Sequence, residues 1–175
     1  MLLISCKNGE ETKDNNAEVV DDKAILTTLE FDNAETSLQL VQNYVQALQE
    51  GDVDKMNAQL DEKVVILGLG GSLDSLTIAD HKDYYTTSTS QNTHAISQDL
   101  YLPVKVENNW NEGEWVLSWG TNTITNKESG NKFDIPYHIV SMVENGKIVY
   151  MRYFYDMLNV VSKQGYTITP PEAAE

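Results

Sequence analysis

The sequence predicts an α+β fold in which three N-terminal helices pack on a strongly bent antiparallel β-sheet of about four to six strands. Two patterns support this prediction. Apolar residues recur at helical spacing before residue 51, and four long extended segments follow residue 93, with an Asn-Gly pair between the last two. Because 41% of the 175 residues are hydrophobic, we expect one domain at residues 35–168 and a tail at 169–175.

The first six residues combine an apolar run with a small residue and the single cysteine, Cys6. This Leu-Leu-Ile-Ser-Cys pattern resembles the lipobox of bacterial lipoproteins, and residues 1–6 would be the remnant of such a signal. The resemblance implies that Cys6 is lipidated and that the protein lies in the cell envelope, on the periplasmic or surface face. If the start is correct as written, a cytoplasmic location is the alternative.

Residues 7–34 are rich in Asn, Asp, Glu, Lys and Thr, and their few apolar residues follow no sustained period. Such a composition predicts a disordered acidic linker. If Cys6 is lipidated, the linker would hold the domain away from the membrane. The alternative is that its apolar residues pack on the domain as an N-terminal arm.

The charge of the chain restricts its partners. A formal net charge of -15 and a pI near 4.4 oppose binding to nucleic acid, because a polyanion is repelled by the protein as a whole. No stretch of about twenty apolar residues occurs, so we expect membrane association only through a lipid anchor. One cysteine permits neither an intrachain disulfide nor a multi-cysteine zinc site.

The first predicted helix begins at Thr36, which has the spacing of a capping box with Gln39. An apolar stripe at three- and four-residue spacing follows, formed by Leu38, Val41, Val45 and Leu48. This stripe predicts one buried helix face, and Gly51 is expected to end the helix. Asp52 is then expected to cap a short second helix.

A buried strand is predicted at residues 64–67, followed by a glycine loop that lacks the spacing of a phosphate-binding motif. A third helix is predicted at residues 79–90, with one ring of the adjacent Tyr84 and Tyr85 directed inward. Beyond it the chain reads as four extended segments, at residues 94–107, 114–127, 131–144 and 147–156. Asn145-Gly146 favours a two-residue hairpin turn between the last two, and hence an antiparallel meander that encloses a core and a cavity.

Several short motifs in the last third of the chain allow a comparison with a known family. They are Asn145-Gly146-Lys147-Ile148, then Tyr153-Phe154-Tyr155-Asp156, then Leu158 and Gln164-Gly165. With the order of helices and strands, they make residues 35–166 resemble the SnoaL-like branch of the nuclear transport factor 2-like superfamily. The resemblance implies a cystatin-like cone with a pocket, and a homodimer that pairs through the open sheet face.

Two residues are candidate proton carriers. Asp156 matches the pocket carboxylate that the resembling cyclases use as a general acid or base, and an apolar cavity would raise its pKa toward a useful range. Its alternative role is to cap the following helix. His138 alternates with apolar residues on the preceding strand and is expected to face the cavity, either for proton transfer or as a hydrogen-bonded core residue.

Five further residues are candidate ligand contacts. Arg152 is the only arginine, and strand parity places it on one face with Tyr150 and Phe154; it would bind a ligand carboxylate or form an internal ion pair. Trp119 alternates with other large residues on its own strand, and Tyr44 lies on the first helix. These rings suit a pocket for a flat apolar ligand, but equally an ordinary core or a dimer interface.

Three functions are consistent with the sequence. The first is a non-catalytic cell-envelope lipoprotein domain that binds a small apolar or carboxylated molecule. The second is a cofactor-independent isomerase, cyclase or hydratase that uses Asp156 and His138, with Tyr150 or Tyr44 steadying an oxyanion. The third is a protein-interaction module that uses the open sheet face. No metal-ligand spacing occurs among the histidines, so neither a metal nor a cofactor is expected.

Overall fold

The computed structural model describes residues 24–71, 74–167 and 169. The expected lipidation site at Cys6 and the rest of residues 1–6 lie outside the described residues. The same is true of residues 7–23 of the predicted linker and of all the predicted C-terminal tail except Thr169. Within the described part of the chain, no helix is long and apolar enough to cross a membrane.

The described strands form one curved sheet. They are β1 (Leu26–Thr28), β2 (Leu60–Leu67), β3 (Ser75–Leu76), β4 (Asn92–Glu107), β5 (Gly113–Asn126), β6 (Lys132–Glu144) and β7 (Lys147–Tyr155). Their order across the sheet is β1-β4-β5-β6-β7-β2-β3. The pairing of β2 with β7 is parallel and the other pairings are antiparallel.

Four helices accompany the sheet in the described residues. They are α1 (Ala34–Glu50), α2 (Val53–Asn57), α3 (Ile78–Gln91) and α4 (Met157–Lys163). Helices α1 and α3 pack on one face of the sheet, where their apolar side chains join those of β2, β5, β6 and β7 in a single core. The predicted α+β fold with three N-terminal helices on a bent sheet is therefore confirmed.

The sheet is larger than the four C-terminal segments alone would make it. The long β4–β7 meander occurs as expected, but β2 from the helical half joins its edge in parallel to β7. Parallel pairing needs a long crossover, and the chain between β2 and β7 supplies one. Residues 26–28, which we placed in the linker, form β1 and pair with residues 105–107 of β4, so the ordered region begins earlier than predicted.

The predicted helix caps are partly right. Asp52 accepts a hydrogen bond from the Lys55 backbone N–H at 2.9 Å, and Gly51 ends α1 in the left-handed conformation with φ of 72°. The capping box predicted at Thr36 is wrong, because α1 begins at Ala34. The side chains of Asn33 and Ser37 both donate to the Glu114 carboxylate on β5, at 3.2 and 3.4 Å, and this tertiary contact accompanies the earlier start.

The β6–β7 hairpin turns at Asn145-Gly146 as expected. Both residues have positive φ, at 50° and 72°, which is the requirement of a type I′ turn. The turn pairs Glu144 with Lys147 and Val143 with Ile148. An irregularity between Val143 and Met142 then shifts the register by one residue, so that Met142 pairs with Tyr150, Val140 with Arg152 and His138 with Phe154. The register decides which residues share a face of the sheet.

Candidate functional site

A cavity lies between the helices and the concave face of the sheet. We call it the cone cavity; its lining is Tyr44, Val45, Leu48, Leu69, Tyr84, Tyr85, Ile96, Asn122, Ile124, Ile135, Tyr137, Ile139, Tyr153 and Tyr155. The residues that β7 and β6 contribute are odd-numbered, because alternate side chains of a strand point to the same face. The lining contains no acidic or basic side chain, so the cone cavity is apolar with a set of phenol groups.

A chain of buried hydrogen bonds forms beside the cone cavity. The Asn57 side-chain oxygen accepts from His81 Nδ1 at 3.1 Å, which leaves His81 Nε2 to accept from the Tyr44 hydroxyl at 2.6 Å. The Tyr44 oxygen is bonded in turn to the Tyr153 hydroxyl. This chain fixes the imidazole tautomer and ties α3, α1 and β7 together.

Burial keeps these groups uncharged. It raises the pKa of the Tyr44, Tyr85 and Tyr153 phenols well above their usual value. It lowers the pKa of His81 to about 4, because a charged imidazole would lose its hydration and gain no anionic partner. Around neutral pH the imidazole and the three phenols are therefore neutral hydrogen-bonding groups, and His81 is not poised to take up a proton.

Two polar atoms of the lining have no hydrogen-bond partner among the described residues. They are the Asn122 side-chain oxygen and the Tyr137 hydroxyl. The Asn122 amide nitrogen donates one of its two N–H groups to His94 Nδ1 at 3.1 Å, and its oxygen is the atom without a partner. Burial raises the pKa of Tyr137 to about 12, and the nearby Asp99 charge acts in the same direction, while the neighbouring Tyr101 hydroxyl lowers it. Tyr101 is therefore close to this hydroxyl without meeting it in hydrogen-bond geometry. A ligand with a hydrogen-bond donor would satisfy either atom.

The size of the cone cavity limits its occupant. Its volume is about 90 Å³, which is less than the roughly 150 Å³ of an engineered apolar cavity that binds benzene. Tyr84 lines the cavity and is 44% exposed, so it stands where the cavity meets solvent. A ligand larger than a few atoms would enter only if this ring moved aside.

Most of the predicted site residues lie on the opposite, outer face of the sheet. Trp119, His138 and Phe154 form one cross-strand row there, and Arg152 and Tyr150 lie in the next two rows. These five residues share a face, but it is not the face that lines the cone cavity, so the expectation that His138 faces the cavity is wrong. The role of the other four as ligand contacts stays a prediction. Tyr44 is the one predicted contact that lines the cone cavity.

The two candidate proton carriers have other surroundings than expected. Asp156 caps α4, since its carboxylate accepts from the Asn159 backbone N–H at 2.9 Å. His138 packs between the rings of Trp119 and Phe154, with centroids 5.8 and 5.9 Å away. Neither residue lines the cone cavity, and Asp156 has the capping role that was its alternative.

The sequence predicts no site role for His81 or Asn122, and Tyr137 is expected only as one more ring suited to an aromatic-lined pocket. His81 precedes Tyr85 by one helical turn, and this spacing places both on one helix face, so the signal was present. Asn122 alternates with Ile124 on β5 and Tyr137 with Ile139 on β6. A polar residue within an apolar strand face marks such a position, provided that the inward face is known. Among the described residues, no group of three His, Cys, Asp or Glu is arranged to hold a metal ion.

Helices packed on a curved mixed sheet around a cavity are the architecture of the nuclear transport factor 2-like class. The SnoaL-like domain family model matches residues 41–151. The chain belongs to this family. No curated protein matches it.

Solved structures of low sequence identity share the fold. A protein of Xanthomonas campestris, provisionally assigned as a polyketide cyclase, is 18% identical with a TM-score of 0.61; 75% of this chain and 98% of that chain are covered. A provisionally assigned isomerase of Bacillus subtilis is 17% identical with a TM-score of 0.63, at 77% and 96% coverage. An epoxide hydrolase of the LEH-like type from M. tuberculosis is 15% identical with a TM-score of 0.57, at 74% and 89% coverage.

Proposed function

We propose that this domain binds a small, uncharged and largely apolar molecule in the cone cavity. The observation that carries the proposal is the pairing of an uncharged lining with the unpartnered Asn122 oxygen and Tyr137 hydroxyl. A buried polar atom without a partner costs about 1–3 kcal/mol, and a ligand N–H or O–H would recover part of that cost. Small primary amides, alcohols and phenols are the matching class, and those that carry an aromatic ring enter only when Tyr84 moves aside to enlarge the 90 Å³ cavity.

An anionic ligand is disfavoured at this site. Moving a carboxylate from water into an apolar cavity is costly unless a cation or several donors receive it. The lining holds no lysine or arginine. The carboxylated ligand that the sequence allowed is therefore not proposed for the cone cavity.

A cofactor-independent isomerase, cyclase or hydratase is the second candidate function. The names given to the Xanthomonas and Bacillus structures favour this class, although identities below 20% carry the fold alone. Asp156 and His138 lie outside the cavity lining, so acid–base catalysis there would need other groups. Tyr44 and Tyr153 could donate to an oxyanion, but their raised pKa values do not suit proton transfer near neutrality. Binding is therefore placed ahead of catalysis.

The cell-envelope location stays part of the proposal through Cys6. A Cys6→Ser variant of the complete precursor, expressed in bacteria with labelled palmitate, is expected to lose both the label and the membrane fraction. Equal labelling of the variant and the wild type would remove the lipid anchor from the account.

Binding is tested by thermal denaturation with benzamide and benzyl alcohol at millimolar concentration. We expect both to raise the melting temperature, since a ligand that binds only the native state stabilises it. Tyr137→Phe removes one hydroxyl without changing the shape of the ring and should weaken benzamide binding about three- to tenfold, the range of one hydrogen bond. Tyr150→Phe, the same change on the outer face, should leave it unchanged. No melting shift with either compound would contradict the proposal.

A further inference from the structure

The outer face of the sheet carries a groove separate from the cone cavity. We call it the outer groove; its larger lining side chains are Trp110, Trp115, Leu117, Met142, Tyr150 and Phe154, and Arg152 lies among them. Its volume is about 650 Å³, within the range of about 300–1,000 Å³ usual for small-molecule sites. The outer groove is therefore large enough for a small-molecule ligand that the cone cavity could not hold.

Arg152 stands in this groove without a charged neighbour on the sheet. Its cross-strand neighbours are Val140 on β6 and Leu67 on β2. On the same face of β7 its neighbours are Tyr150 and Phe154, and its guanidinium lies 5.0 Å from the centre of the Phe154 ring. Within the described residues no carboxylate comes within ion-pair distance of it.

The walls of the outer groove are held in place. Trp115 Nε1 donates to the Asn111 backbone oxygen at 2.9 Å, and the Trp115 ring meets Tyr150 edge to face at 5.8 Å. Glu112, the acidic residue of the lining, accepts from the Asn108 backbone N–H at 3.1 Å. Among the described residues, this carboxylate forms no ion pair with Arg152.

We propose that the outer groove is a second binding site, for a hydrophobic carboxylate. The planar guanidinium would receive the two carboxylate oxygens through paired N–H donors. The apolar part of the ligand would lie on Trp115, Met142 and Tyr150, where apolar surface is removed from water. His138 takes no part in this contact, because its unpartnered Nε2 is buried in the row with Trp119 and Phe154.

Charge favours this occupant over a second copy of the chain. Long-range repulsion scales with the product of the two charges. The net charge of -15 on each copy therefore opposes pairing of two copies far more than the approach of one singly charged ligand, which also gains a close contact with Arg152. The homodimer that the family resemblance implies stays a prediction. It would cover this same face and therefore excludes the carboxylate site. The inference does not rest on the proposed function of the cone cavity.

The test uses the complete chain and sodium octanoate, followed by intrinsic tryptophan emission. Trp110 and Trp115 line the outer groove and no tryptophan lines the cone cavity, so the emission reports this site. We expect a saturable change with octanoate and a much weaker one with octanamide, which has the same shape but no charge. Arg152→Gln should weaken octanoate binding at least tenfold, while Lys132→Gln, which removes an equal charge elsewhere, should not.

A second variant covers the case in which Arg152→Gln does not fold. Trp110 is 95% exposed, so Trp110→Ala cannot disturb the core and should weaken octanoate several-fold. Equal binding of octanoate and octanamide, or octanoate binding that survives Arg152→Gln, would overturn the proposal. Two further results would overturn the proposal. If the chain sediments as a dimer and octanoate does not bind, a second copy occupies the groove. If octanoate binds only after residues 1–23 are deleted, those residues occupy it.

Discussion

At the scale of single residues, the interior is organised by neutral polar groups that satisfy one another. His81 is fully buried, and both of its ring nitrogens are engaged, by Asn57 and Tyr44. Tyr44 is also bonded to Tyr153. Such a fully satisfied network stabilises a unique packing, whereas a half-satisfied one destabilises it.

His81 should make the domain sensitive to acid. Its pKa is about 4 in the folded state and about 6.5 in the unfolded state, so the unfolded chain binds the proton more readily. Stability is therefore complete above pH 6.5 and falls as the pH drops toward 4, by roughly 3 kcal/mol in total. Urea unfolding at pH 7, 5.5 and 4.5 measures this loss.

Carboxylates also titrate toward the acid end of this pH range, so a variant without the His81 ring is needed to isolate the contribution of His81 to the loss of stability. His81→Gln keeps a hydrogen-bonding side chain without a titrating ring and should show a smaller loss of unfolding free energy between pH 7 and 4.5. Equal losses in the two proteins would contradict the depressed His81 pKa. An NMR titration of the His81 ring protons checks the same value directly.

Two tyrosines should respond in opposite ways to loss of the hydroxyl. Tyr44→Phe removes two buried hydrogen bonds and should lower the free energy of unfolding by about 1–3 kcal/mol. Tyr137→Phe removes a hydroxyl that has no hydrogen-bond partner among the described residues. This substitution should leave the free energy of unfolding unchanged or raise it. Denaturant unfolding of both variants measures the difference; equal destabilisation would contradict the assigned hydrogen-bond chain.

At the scale of elements, β7 and the loop after β2 set the shape of the cone cavity. Gly68 has φ of 82°, and a β-carbon there would collide with the backbone oxygen of Tyr153. The loop therefore packs directly on the β7 backbone beside the Tyr153 ring. Leu69, next in the chain, lines the cone cavity and accepts a hydrogen bond from the Tyr155 hydroxyl at 3.2 Å.

Alanine substitutions at Gly68 and Gly51 separate this packing from backbone strain. Gly51 has φ of 72° and nothing within 4 Å of its added β-carbon. Gly51→Ala should therefore cost only the left-handed conformation, about 1–2 kcal/mol. Gly68→Ala should cost that and a steric term of about 1–3 kcal/mol more. Denaturant unfolding compares the two, and equal costs would contradict the close approach of the loop to β7.

The elements could be predicted from sequence where local patterns determine them. The Asn145-Gly146 turn and the Asp52 cap depend on neighbouring residues alone. The start of α1 coincides with a contact between Asn33 and Glu114, 81 positions further along the chain, for which the sequence carries no local signal. The parallel pairing of β2 with β7 is likewise a long-range choice.

At the scale of the whole molecule, the two faces of the sheet have different chemistry. The concave face encloses the uncharged cone cavity, and the outer face carries Arg152 with its aromatic neighbours. Strand alternation correctly grouped Tyr150, Arg152 and Phe154. It could not say which face is inward, because the other face of β7, with Met151, Tyr153 and Tyr155, is equally rich in large side chains.

The measurement that tests the central claim most directly is methyl NMR of the isoleucine side chains of the complete chain. Ile96, Ile124, Ile135 and Ile139 line the cone cavity. Benzamide and benzoate have nearly the same shape and differ in charge. The account predicts saturable shifts of these four methyl signals with benzamide and not with benzoate, because only the neutral molecule avoids the cost of burying a charge. Shifts with benzoate as large as those with benzamide, or none with either, would contradict a cone cavity that selects an uncharged ligand.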